Sequence, residues 1–66
     1  MKTEFDKETN AAYIYLKDEI TEREVFRTIS INNDITLDFD SNNKLLGIEV
    51  LNATQNLAKI PEKLAA

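Results

Sequence analysis

Ile35-Thr36-Leu37-Asp38-Phe39-Asp40-Ser41-Asn42-Asn43-Lys44-Leu45-Leu46-Gly47-Ile48-Glu49-Val50-Leu51 reads as two alternating strands joined by a tight polar turn. Ile35, Leu37 and Phe39 fall on one face of the first strand, and Leu46, Ile48 and Val50 on one face of the second. Closing the hairpin about Ser41-Asn42-Asn43 pairs odd positions with even ones, so the two apolar faces coincide. Asn43 is the residue suited to a left-handed backbone at the turn. Gly47 signals a bulge or a close backbone approach, and its missing side chain leaves a hole on the face lined by Thr36 and Leu45.

Upstream of this hairpin, Met1, Thr3 and Phe5 alternate with Lys2 and Glu4, predicting a short first strand. Asp6 to Asn10 is a polar turn whose Asp and Asn favour side-chain-to-backbone hydrogen bonds. Ala11 to Lys17 follows as a second strand, with Ala12, Ile14 and Leu16 on one face and Tyr13 and Tyr15 on the other. Apolar surface on both faces points to a central strand or one covered on both sides. Lys17 to Glu24 has helical propensity but no apolar stripe to bury, so a charged connection is expected there. Glu24 to Ile31 returns to alternation, with Val25, Ile29 and Ile31 on one face and Phe26, Thr28 and Ser30 on the other. Arg27 interrupts the first of these faces, which marks an edge strand or an exposed strand end. Asn32-Asn33-Asp34 is the next turn.

Beyond Leu51 the texture becomes helical. Asn52 is a candidate N-cap with Gln55 three residues on, and Leu57, Ile60 and Leu64 form a narrow apolar stripe. Pro61 divides that stretch into two short pieces. The Leu46/Ile48/Val50 face is available for the stripe to cover. The expected fold is therefore α+β: a single domain over 1–66, an antiparallel β-meander of about four to five strands, with a short C-terminal helix packed on one face.

Composition removes several function classes. The chain has 66 residues with no cysteine and no histidine. Disulfides, thiolate metal sites, imidazole ligands and a histidine general base are all absent. A chain this short buries only about 60% of its unfolded surface. With the other usual reinforcements missing, association with a second protein molecule is expected, as a homodimer or with a small partner protein. Twelve acidic residues against eight basic ones give a net charge of −4, and the basic residues are scattered. Nucleic-acid binding, which needs a clustered positive face, is not expected. No apolar run approaches the ~18 residues of a membrane span. The first residues lack the apolar core of a secretory signal, so the cytoplasm is the expected location.

Candidate chemistry is sparse. Asp38, Asp40, Asn42 and Glu49 follow the ligand spacing of a calcium-binding loop of about twelve residues. Asn43 stands where that loop needs glycine, however, and strands flank it instead of helices. Polar turn residues between two strands account for the same letters. Asp6, Asp38 and Glu49 are candidates for paired-carboxylate catalysis, but a sheet this small offers no deep cleft to separate their acidities. Ser30 and Ser41 have no evident base, and a single glycine excludes a glycine-rich phosphate loop. No catalytic residue and no cofactor is expected. Tyr13 and Tyr15, with Phe26, are the candidate interface residues, since tyrosine is enriched where proteins meet. The alternative function is a calcium- or small-ligand-binding module built on the acidic hairpin.

Phe5-Asp6, Asn10-Ala11-Ala12-Tyr13-Ile14-Tyr15-Leu16, Leu37-Asp38-Phe39-Asp40 and Leu46-Gly47-Ile48-Glu49-Val50-Leu51 together resemble a small prokaryotic family of unknown function, number 2283. The Gly47-Ile48-Glu49-Val50-Leu51 block is the most specific part, and the likeness extends to about Leu57. The chain departs from the family pattern at Asn10, usually Asp, at Ala12, usually larger, and at Asn43, usually Gly. The first departure weakens any carboxylate chemistry there, while the last keeps a left-handed turn accessible. The resemblance implies a fold. Through members encoded beside small toxins, it also implies an antitoxin-like binding role.

Overall fold

A computed structural model describes residues 1–60. Its strands are β1 (Lys2–Asp6), β2 (Ala11–Tyr15), β3 (Arg27–Ser30), β4 (Ile35–Phe39) and β5 (Leu45–Leu51), followed by one helical turn, α1 (Ala53–Asn56). All neighbouring pairs are antiparallel in one open sheet of order β1-β2-β5-β4-β3. The expected class, strand number and terminal helix are all present. The meander runs in two pieces, a β1–β2 hairpin and a β3-β4-β5 ladder, which join where β2 pairs with β5.

The decisive hairpin pairs Ile35 with Val50 and Leu37 with Ile48, odd against even as the alternation requires. Near the turn the register shifts. Asp38 lies opposite Gly47, but Phe39 lies opposite Leu45, so Leu46 is the extra residue of a β-bulge. Asn43 takes a left-handed φ of 66°. Asp40 Oδ1 accepts the Asn42 and Lys44 amides at 2.8 and 2.9 Å, which closes the turn.

Two strands are shorter than their sequence patterns. β2 ends at Tyr15, although the Leu16 amide still donates to Leu46 O at 2.8 Å. β3 begins at Arg27 because residues Glu22–Glu24 form a 3₁₀ turn. Thr21 and Glu24 are spaced as a capping box, and the Glu24 carboxylate accepts the Thr21 amide at 2.9 Å. Lys17 also pairs with that carboxylate, holding the Glu24 pKa below the usual carboxylate range. The helical propensity of Lys17 to Glu24 is thus spent in a single turn.

Ala12, Val50 and Ala53 form the buried centre of one sheet face, with Phe5, Ile35, Ile48, Leu57 and Ile60 packed around them. Only the first part of the expected stripe lies here. Leu57 already has extended backbone, while Pro61 and Leu64 fall outside the described residues.

Asn52 occupies the N-cap position, but its backbone is left-handed at φ 52° and its side chain caps nothing. The work of a cap is done from 44 residues away in sequence, by Asn10 of the β1–β2 turn. Asn10 O accepts the Ala53 amide at 2.9 Å and Asn10 Oδ1 the Thr54 amide at 3.2 Å. Asn10 Nδ2 in turn donates to Thr54 Oγ1 at 3.0 Å. From the other side, Asp34 accepts from Asn52 Nδ2 at 3.2 Å and Asn56 Nδ2 at 2.9 Å. These turns clasp α1 over the apolar face. Because Asn10 replaces a local cap, Asn10→Ala is expected to lower unfolding stability by about 1–2 kcal/mol, measured by urea denaturation. A loss below a few tenths would show that the clasp is incidental.

Candidate functional site

The second sheet face follows from the registers. Tyr13 sits between Glu4 and Glu49, and Tyr15 between Lys2 and Gly47; Asp38 lies opposite both Gly47 and Thr28. Directly opposed residues share a face, so these side chains converge.

Tyr13 leans diagonally over β5. A Cβ built on Gly47 would lie 2.3 Å from Tyr13 Oη and 2.6 Å from its ring. The hole expected at Gly47 is therefore filled by an aromatic ring from the neighbouring strand. Crossing there lets Tyr13 Oη donate to Asp38 Oδ2 at 2.6 Å, and Thr28 Oγ1 donates to the other oxygen, Oδ1, at 2.7 Å. One hydrogen-bonded chain thus ties β2, over β5, to β4 and β3. Burial and the bond to Asp38 push the Tyr13 phenol pKa well above its ordinary range. Tyr15 Oη donates to Glu4 Oε1 at 2.9 Å, and burial followed by that bond raises its pKa as well. The two rings meet edge to face with centroids 4.7 Å apart, while Lys2 Nζ stands 4.6 Å from the Tyr15 centroid.

To reach the far edge of the sheet, the connection from β2 to β3 travels along this face. Ile20, Thr21, Glu22 and Val25 join Tyr13, Tyr15 and Asp38 around an open cavity of about 210 Å³. That connection partly roofs the tyrosine face. Phe26, grouped with the tyrosines from its alternation, lies outside this lining and is 72% exposed beside β3.

The acidic candidates are dispersed. Asp38 is held by the two hydroxyls, Asp40 closes its turn, and Asp6 Oδ1 accepts the Glu8 amide at 2.9 Å. Asn42 and Glu49 are exposed. Among the described residues no three acidic side chains gather as a metal site would require. The periodicity brought Tyr13 and Tyr15 to one face and Gly47 was expected to admit a close approach; Tyr13 and Asp38 as the partners meeting across it were missed. The signal for them was a glycine inside a strand opposite an aspartate.

The family model described as Protein of unknown function (DUF2283) matches residues 2–53. The chain belongs to that family. The match spans all five strands and stops at Ala53, the first residue of α1. No curated protein and no solved structure matches the chain. Among the described residues no helix is long and apolar enough to cross a membrane.

Two outcomes test the tyrosine lock. Gly47→Ala should cost about 1–3 kcal/mol by overpacking, and should cost far less in a Tyr13→Ala background, as read by a double-mutant denaturation cycle. Additive losses would contradict the close approach. The pH dependence has a definite sign. A phenol whose pKa is raised on folding keeps its proton to higher pH in the folded than in the unfolded chain. Its contribution is complete below the unfolded value of about 10 and declines as the pH rises above it. Denaturation midpoints should therefore fall above about pH 10, and less steeply in Tyr13→Phe.

Proposed function

We propose that this protein is a non-catalytic protein-binding module that recruits another chain along the β3 edge, a second copy of itself being the first occupant. The observation that carries this reading is the contrast between the two sheet edges. β1 places exposed charges at Lys2, Glu4 and Asp6, a usual protection against edge pairing. β3 is exposed throughout, carries one charge, Arg27, and is flanked by Phe26 at 72% and Ile31 at 58% exposure.

The backbone supports the same conclusion. Ile31 N donates to Ile35 O at 2.8 Å. Antiparallel ladders alternate, so Ile29 also directs its backbone groups at β4, while Thr28 and Ser30 turn theirs outward. A second β3 laid antiparallel with its centre on Ile29 sets Thr28 opposite Ser30 in both halves of a twofold dimer. Each such pair exchanges both N–H···O bonds. Ile29 meets its own copy on the α1 side of the sheet, and the Arg27 stem lies against Ile31 of the other copy. A small partner with an accessible strand satisfies the same edge, in keeping with an antitoxin-like role.

Ser30→Pro deletes an outward amide while sparing the β3–β4 ladder. Sedimentation should show concentration-dependent dimers of the wild type and about tenfold or greater weakening in the variant. Equal association of both proteins would exclude β3 as the contact.

A further inference from the structure

We infer that the cavity between the tyrosine pair and the β2–β3 connection is a binding site for a small organic cation, an alkylammonium or guanidinium group. This goes beyond the protein-binding reading and does not rest on it, since none of the β3 residues lines the cavity.

Three features of the lining converge on that chemistry. Among the described residues the charged groups of the lining are Asp38 and Glu22, both anionic, with no lysine or arginine. Aromatic faces attract cations through the ring quadrupole. In this site both phenols donate to carboxylates, Tyr13 to Asp38 and Tyr15 to Glu4, which pushes electron density back into the rings. The protein already shows the preference: Lys2 Nζ, which is not a lining residue, sits 4.6 Å from the Tyr15 centroid. Ile20 and Val25 complete the wall with apolar surface suited to an alkyl stem.

Size limits the occupant. A volume of about 210 Å³ lies below the range of roughly 300–1,000 Å³ usual for drug-sized ligands and cofactors. It suits the end of one side chain or a short amine. Because Tyr13 and Thr28 already hold Asp38, its charge is fixed in place before any ligand arrives. Glu22 sits on an exposed 3₁₀ turn and supplies a second anionic wall at the rim.

The test uses amide spectra of the full chain titrated with n-butylammonium chloride at constant ionic strength, and with n-butanol as the neutral control. Saturable shifts at Tyr13, Tyr15, Ile20, Thr21 and Glu22 with the amine, and much smaller ones with the alcohol, are expected. Glu22→Gln, on an exposed turn, should weaken the amine about two- to fivefold. Tyr15→Leu should weaken it by a similar factor. A lysine tripeptide with blocked ends, compared with its Nε-acetylated form, distinguishes the source. Tighter binding than butylammonium identifies a partner's side chain, and equal binding a free amine. Equal shifts from butanol, indifference to both substitutions, or no shift at about 100 mM amine would each overturn the assignment.

Discussion

The fold hinges on Tyr13 lying across Gly47 to reach Asp38. An open sheet this small has few residues with which to hold its strands in register. Here an aromatic ring covers the backbone of β5, and its hydroxyl fastens β2 to β4, where Thr28 carries the connection on to β3. The interaction is possible only because β5 has no side chain at that point. The bulge at Leu46 is adjacent, and it twists the strand where the ring must pass. The part-buried Asp38 carboxylate has each oxygen held by a different hydroxyl, and that pairing makes the arrangement specific. Removing either donor leaves a charge short of a partner.

The opposite face is closed by different means. Its buried centre consists of small residues, Ala12, Val50 and Ala53, with larger apolar side chains around them. A core so modest cannot hold a single helical turn by packing alone, since one turn gains little from its own hydrogen bonds. Asn10 and Asp34, from turns on either side of the C-terminal end of β5, supply the missing partners to α1. The left-handed backbone of Asn10, at φ 59°, is what aims its carbonyl and side chain at the helix start. Polar contacts therefore do on this face what hydrophobic mass does in larger domains.

Period-two alternation made most of the sheet legible, because a one-residue slip would turn every apolar side chain to the wrong face. Asn43 and Gly47 were readable for a related reason, each being a residue whose backbone freedom marks a special position. The strand order was not readable. Nothing local to β2 says that its partner is β5 instead of β3. That choice depends on a connection long enough to cross the sheet. The cap of α1 was misjudged because Asn52 and Gln55 match a local capping pattern, while the atoms that perform it belong to Asn10. Tyr13 and Tyr15 were placed on the correct face, yet their hydroxyl partners Asp38 and Glu4 are set by register, which one strand's pattern does not contain. Phe26 shares the alternation of Thr28, which lies on the tyrosine face, but falls just outside β3, where alternation no longer fixes direction.

The long β2–β3 connection links this topology to surface chemistry. In an unbroken meander the tyrosine face would be bare, and the third strand would lie beside the second. Sending the chain across to the far edge instead roofs part of the aromatic face and leaves β3 as the terminal strand. The partial roof converts a flat patch of rings and carboxylates into a cavity. The displacement of β3 leaves its outer backbone edge without a neighbouring strand among the described residues, beside Phe26 and Ile31. Both exposed features therefore have a common topological origin. In this sheet the crossover is as important to the available binding chemistry as the identity of any single side chain.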